Sequence, residues 1–195
     1  MVVVPAPTPS APEVPAPEVV DPGSSAALDL VSDVPVSQQV LVLLRALAFD
    51  TKLRGRSGDK LVIASLYIDP TTRKRAFRMN SEFESYTGRV QGMPLSIVAL
   101  EYTTQSALTA SISEVGIDVL YVPTGLGAQV AGISAVARSA NVLTIGAEPS
   151  YVSSGLSLGV FTLRGEPKLG LNQSAAAAAG ATFEGEILEV AIRMD

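Results

Sequence analysis

The chain contains no cysteine, no histidine and no tryptophan. Each absence closes off a kind of chemistry. Without cysteine there is no disulfide framework and no thiolate nucleophile. Without histidine there is no imidazole to activate a serine, ligate zinc or shuttle protons near neutral pH. Any catalysis would have to run on carboxylates, lysine, arginine, tyrosine or hydroxyls, and no cofactor or metal site is expected. No run approaches the roughly 18 consecutive apolar residues of a membrane-spanning helix. The opening MVVVPAPTPS has neither the basic segment nor the apolar stretch of a secretory signal. The chain therefore reads either as cytoplasmic or as an exported protein whose signal has been removed, and zero cysteine fits both compartments.

What is present suits one hydrophobic core with an appendage: 195 residues, 47% of them hydrophobic. The net charge of -5 is unevenly placed. Residues 1–33 hold Glu13, Glu18, Asp21, Asp29 and Asp33 with no Lys or Arg, leaving 14 acidic and 14 basic residues in the remainder. A charge-balanced body lacks the broad basic surface that displaces counterions from phosphates, so no nucleic-acid partner is expected. Seven of the 13 prolines fall in residues 2–27, mixed with Ala, Val, Glu and Ser. Proline at that density blocks helices and sheet ladders. Residues 1–34 are accordingly read as a Pro/Ala-rich disordered tether, and residues 35–195 as a single domain.

Within the domain, apolar periodicity alternates between two kinds of element. VSQQVLVLLRALAFD predicts an amphipathic helix capped by Ser37, with Val40, Leu41, Leu44, Leu47 and Ala48 on its inner face. Asp50–Asp59 reads as a charged loop. Lys60–Tyr67 is a nearly continuous apolar run, as expected of a central parallel strand. A helix from Pro70 to about Tyr86 follows, carrying Arg73, Lys74, Arg75 and Arg78, with Arg78 spaced to pair with Glu82; this basic face reads as solvated surface. Strands at Leu95–Tyr102, Val119–Val122 and Val142–Ile145 alternate with helices at Thr104–Glu114 and Ala128–Ala140. A short helical turn at Glu148–Ser154 precedes a hairpin of Leu156–Leu163 with Lys168–Asn172, an alanine helix stopped by Gly180, and a last helix over Glu186–Ile192. This order predicts an α/β fold: three layers around a mostly parallel, doubly wound sheet, with an antiparallel C-terminal hairpin.

In such sheets ligands bind beyond the carboxyl ends of the strands. The residues placed there are Asp69, Tyr102, Thr103, Thr124, Gly125 and Glu148, which form the candidate ligand-binding set. VPTGLGAQVAG looks like a phosphate loop because glycines after a strand open a helix N-terminus. The match fails in detail: a dinucleotide fingerprint needs glycine where Val130 stands, and the phosphate-loop Gly-Lys-Ser/Thr is missing. Gly125 and Gly127 then serve turn geometry, with a small anion at that helix end left open. Paired carboxylates can support hydrolysis, and Asp69 and Glu148 are a pair placed to converge at the strand ends. Tyr67, Tyr102, Tyr121 and Tyr151 lie on or beside the same edge.

The segments DVLYVPTG at Asp118–Gly125 and VLTIGAEPSYVSSGLSLGVFTLRGEPKLGLNQSAAAAAGATFEGEILEVAIRM at Val142–Met194, with LRALAFDTKLRGRSGDKLVIASLY upstream, resemble the YfiR-like (DUF4154) family. The shared features are structural: a glycine-rich strand, a charged hairpin, an asparagine closing the next strand and an alanine-rich helix. The resemblance implies a periplasmic, non-enzymatic α/β regulator or adaptor. Such a protein binds the sensor domain of a membrane-bound signalling partner of the diguanylate-cyclase or kinase type; a homodimer is compatible with it. Redox control through cysteine, which the best-known member uses, does not carry over. The family's aromatic FxxWP-like stretch is replaced by FDTKLRGR from Phe49. The alternative is a small-ligand binding domain resembling one lobe of a periplasmic solute-binding protein.

Overall fold

The computed structural model describes residues 30–195. Five parallel strands make its centre: β2 (Leu61–Tyr67), β3 (Leu95–Glu101), β4 (Val119–Val122), β5 (Leu143–Gly146) and β6 (Leu158–Leu163). They lie in the order β3-β2-β4-β5-β6, and β6 turns back antiparallel into β7 (Glu166–Leu171). Two two-residue strands complete the sheet: β1 (Leu30–Val31) antiparallel on β6, and β8 (Ile192–Arg193) parallel on β7. Taken in chain order the parallel strands run 2-1-3-4-5, so the winding direction reverses between β2 and β4.

The sequence explains the strands' positions. β2 reads LVIASLY, and its first six residues are buried, because it pairs with β3 on one side and β4 on the other. β3 is the sheet edge, and its residues 95–100 are only half-buried. Helices cover both faces. On one, α1 (Val36–Ala48), α2 (Leu53–Ser57), α3 (Pro70–Ser85) and α8 (Glu186–Val190) pack Leu43, Leu47, Leu53, Met79, Phe83 and Ile187 over alternate sheet residues such as Ile63, Val119 and Ile145. On the other, α4 (Gln105–Val115) and α5 (Val130–Ser139) pack Leu108, Ile112, Ile133 and Val136 over Val62, Leu120 and Val122. Period-2 alternation along each strand divides the apolar residues between the two cores. The short helices α6 (Pro149–Ser153) and α7 (Gln173–Ala178) flank the hairpin.

The expected α/β class and doubly wound layering are observed. Local details differ. Pro35, not Ser37, stands at the cap of α1, its carbonyl accepting the Gln39 amide at 3.0 Å. The inner face of α1 is Val40, Leu43, Leu44 and Leu47, a clean i, i+3, i+4, i+7 stripe, while Leu41 remains 49% exposed. Asp50–Asp59 is not a loop throughout, because burying Leu53 winds α2 within it. The helix before β5 opens with a 3₁₀ turn at Gly127–Gln129. The last helix stops at Val190, and the chain rejoins the sheet as β8. Arg78 and Glu82 form no ion pair; among the described residues the pairs are Arg56–Asp50 and Lys168–Glu166. The tether assigned to residues 1–34 lies outside the described residues up to 29. Within it Leu30 and Val31 pair with Leu163 and Thr162, since β5 covers only the first two residues of β6 and leaves that side of the strand's end open.

Candidate functional site

The carboxyl edge is organised around the reversal between β2 and β4. Asp69 caps α3: its carboxylate accepts the Thr72 amide at 2.7 Å, the Thr72 hydroxyl accepts the Asp69 amide, and Pro70 occupies the first turn. The Thr72 amide first, and then the Thr72 hydroxyl donating to the same carboxylate at 3.0 Å, hold the Asp69 carboxyl below its usual range. Arg75, one turn on, crosses the reversal and donates to the Thr124 carbonyl at 2.7 Å. Gly125 closes the same gap. Its φ of +100° suits glycine, and a Cβ there would meet Thr72 Cγ2 at 3.1 Å and Arg75 Nη1 at 3.2 Å.

The loop that resembles a phosphate cradle is already filled. The amides of Gly125 and Leu126, each 3.1 Å away, both donate to the hydroxyl of Tyr151, a buried side chain on α6. A neutral phenol oxygen thus sits where an anion's oxygen would. Burial raises the Tyr151 pKa first, and the neighbouring Glu148 carboxylate, an acceptor for the neutral phenol, raises it further. The hydroxyl therefore stays protonated and holds the loop shut.

The six candidate residues separate into two groups. Asp69, Thr124 and Gly125 meet through α3, and Glu148 joins them through Tyr151. Tyr102 and Thr103 belong to the end of β3. The Tyr102 amide donates to the Tyr67 carbonyl at 2.8 Å, but its hydroxyl lies on the opposite face, beside Gly132 of α5. Among the described residues no group of three acidic side chains converges as a metal site.

The cavity at this edge lies outside that set apart from Asp69. A groove of about 610 Å³ is lined by Tyr67, Asp69, Pro70, Arg73, Phe77 and Glu101, among others. Arg73 lies between two rings, 5.6 Å from the centre of Tyr67 and 5.3 Å from that of Phe77. Phe77 is 50% exposed, a large apolar ring on a cationic helix face. Arg73 and Phe77 are four residues apart, a pairing that helical spacing allows, so this part of the basic run is not simply solvated surface.

The opposite edge carries a structural clamp. Asp50, fully buried, accepts the Lys52 amide at 3.0 Å, the Thr182 amide at 2.9 Å and Arg56 Nη1 at 2.8 Å. Arg56 also donates to the Gly180 carbonyl at 3.1 Å. This cluster ties α2 to the C-terminal segment. Nearby, burial raises the Asp118 pKa, partly offset by the Val62 amide that it accepts at 2.7 Å.

This fold has counterparts among solved structures. The solved structures that resemble it include a domain from Streptococcus pneumoniae described in complex with L-Trp (14% identity, TM-score 0.56) and a conserved domain protein from Vibrio cholerae (17%, 0.57). Each match covers 82% of this chain and 60% of the other. A ligand-free, open substrate-binding protein with adhesive properties from Clostridium difficile matches at 18% identity and TM-score 0.53, over 74% of this chain and 58% of that one. The chain thus spans about 60% of the length of these neighbours, and the likeness concerns the fold alone. No curated protein matches the sequence. The family model for YfiR/HmsC-like proteins, DUF4154, matches residues 59–192. The chain belongs to that family.

Proposed function

We propose that the protein is a non-enzymatic regulator or adaptor of the periplasm that works by docking the sensor domain of a membrane-bound signalling protein, a diguanylate cyclase or a kinase. The observation that carries this reading is the contrast along the carboxyl edge. The loop amides that would hold a small anion are taken by Tyr151, whereas Tyr67, Arg73 and Phe77 present an open aromatic and cationic surface. Exposed aromatic and arginine side chains are the residue types that dominate protein-protein hot spots. Periplasmic placement and the partner class come from family membership. Among the described residues no helix is long and apolar enough to cross a membrane.

The test is co-purification from envelope fractions with the full chain and with the Arg73→Ala/Phe77→Ala variant. Recovery of a membrane protein with a sensor domain fused to a cyclase or kinase, lost in the variant, supports the reading. Equal recovery by both proteins would overturn the assignment of the surface. A second reading, a small-ligand domain, draws on the fold shared with substrate-binding proteins. It expects a rise in Tm on adding an amino acid or sugar, by the mass-action stabilisation of a folded state that binds ligand.

A further inference from the structure

The two lateral edges of the sheet are built differently. One ends in β8, which is two residues long. The other ends in β3, seven residues reading LSIVALE in uninterrupted register with β2. Short edge strands, prolines, lysines and bulges keep a sheet edge from pairing with another chain. β3 is long, holds no proline or lysine and carries no bulge. Its backbone groups alternate in direction. The Pro94 carbonyl accepts the Leu61 amide at 3.0 Å, and the Tyr102 amide donates to the Tyr67 carbonyl at 2.8 Å. In a parallel ladder every second residue bonds the neighbouring strand, so Ser96, Val98 and Leu100 bond β2. The N–H and C=O groups of Leu95, Ile97, Ala99 and Glu101 then point outward, and no hydrogen bond among the described residues reaches them.

The helix flanking this edge is complementary to itself. α3 packs over both β2 and β3, and Arg75 reaches inward to the Thr124 carbonyl beyond β4. At 3.6 residues per turn, Arg73, Phe77 and Glu84 fall within about 20° of the opposite flank. The surroundings agree: Arg73 and Phe77 line the groove with Glu101 at the carboxyl end of β3, and Glu84 lines a hollow with Leu95 and Ile97 at its amino end. Along the strand this flank reads cation, exposed ring, anion, and neither Arg73 nor Glu84 is in an ion pair among the described residues. A two-fold axis normal to the sheet at Val98 sets Leu95 against Glu101 and Ile97 against Ala99 of a second copy. Every outward residue then meets an outward residue, and each opposed pair exchanges both N–H···O bonds. The same axis runs the two α3 helices antiparallel, with Arg73 of each beside Glu84 of the other and the Phe77 rings between them. With the β3 strands about 4.8 Å apart and each α3 half a spacing inboard, the helices lie about 10 Å apart, the separation of packed helices.

We propose that β3 is the interface between two copies of this chain, paired antiparallel about Val98 into one continuous sheet with the α3 flanks closing over the seam. The occupant is a second copy because one two-fold axis matches both the outward groups of β3 and the order of charges on α3. Ile97, Val98 and Leu100 pack on the two cores yet stay half-buried, and a neighbouring strand covers their open side. Arg73 and Phe77 also belong to the docking surface proposed above, so a sensor domain and a second copy compete for them. Pairing through β3 does not require that a sensor domain binds.

Sedimentation equilibrium of the full chain is expected to give twice the chain mass. Ala99→Pro removes only an outward N–H, which an edge strand tolerates, and is expected to give a monomer with the circular dichroism of the wild type. Glu84→Arg and Arg73→Glu are each expected to weaken association, because each sets like charges together across the axis. An equimolar mixture of these two variants is expected to restore the dimer, since both ends of the helix pair then join opposite charges. That rescue decides the matter even where the proline variant fails to fold. A monomeric wild-type chain overturns the proposal, as does a dimer that a folded Ala99→Pro variant keeps, or charge variants that the mixture does not rescue. Ala99 lies outside the docking surface and no partner is present in this measurement, so it fails or succeeds independently of the co-purification.

Discussion

Replacing Tyr151 by phenylalanine removes one oxygen and leaves the ring in place. Two donors lose their acceptor, the amides of Gly125 and Leu126, each 3.1 Å from the phenol oxygen. They are not equivalent. Gly125 is exposed, so water replaces its partner, whereas Leu126 is fully buried and its amide is left orphaned. One buried unsatisfied donor costs about 1–3 kcal/mol. For a chain of this size each kcal/mol shifts Tm by about 2–4 °C, so Tyr151→Phe is expected to lower Tm by about 2–12 °C. The loss is local in origin, so amide hydrogen exchange should accelerate at Gly125 and Leu126 before it does in β2 or β4. Urea unfolding gives the size of the effect, and exchange gives its place. Unchanged stability together with unchanged protection at Leu126 would refute the argument that the phenol closes this loop, and would reopen the loop as an anion site.

Asp50→Ala should cost more, about 3–5 kcal/mol, because it strips a buried ion pair of its carboxylate. Nε and Nη2 of Arg56 find no acceptor among the described residues, and the Lys52 and Thr182 amides lose theirs; denaturant midpoints for Asp50→Ala, Arg56→Met and the double variant isolate the coupling. Asp118 gives a pH signature. Its folded pKa lies above the ordinary value of 3.8, so the folded state holds this proton more tightly than the unfolded state does. Stability through this group is greatest below that value and falls as pH rises through the folded pKa. Asp118→Asn keeps an oxygen for the Val62 amide, and is expected to flatten the decline and to be more stable than wild type at neutral pH, read from urea midpoints across the acid range.

The two cores were legible because strand and helix periods differ. Lys60–Tyr67 and Val119–Val122 announced central strands by continuous apolarity, and the structure places them between two neighbours each. Pro70 and Thr104 marked helix starts from the sequence, and both helices begin there; Asp69, placed in the candidate ligand set, turns out to cap the first of them. Local rules worked where the partner was local. They misled at Ser37, where the cap lies two residues earlier at Pro35, and at Leu53, whose burial winds a short helix inside a charged stretch.

The candidate site shows the same division. Its residues were placed at strand ends by topology, which is why Asp69, Thr124, Gly125 and Glu148 fall close together. What occupies the loop depended on Tyr151, 26 residues after Gly125, and on the side of the sheet from which α6 presents its ring. Nothing in the spacing of Gly125 and Gly127 announces that a distant phenol takes both amides. The Asp50 clamp was equally hidden, since its partner amide at Thr182 lies 132 residues away.

By itself the sequence determined the class of fold, the alternation of elements and the exclusion of imidazole and thiol chemistry, because these depend on residue type and on periodicity along the chain. The tertiary structure alone decided which donors are satisfied, which cations stay unpaired and which strand is left at the open edge of the sheet. Those outcomes depend on contacts between residues distant in sequence, and such contacts exist only once the two cores have packed.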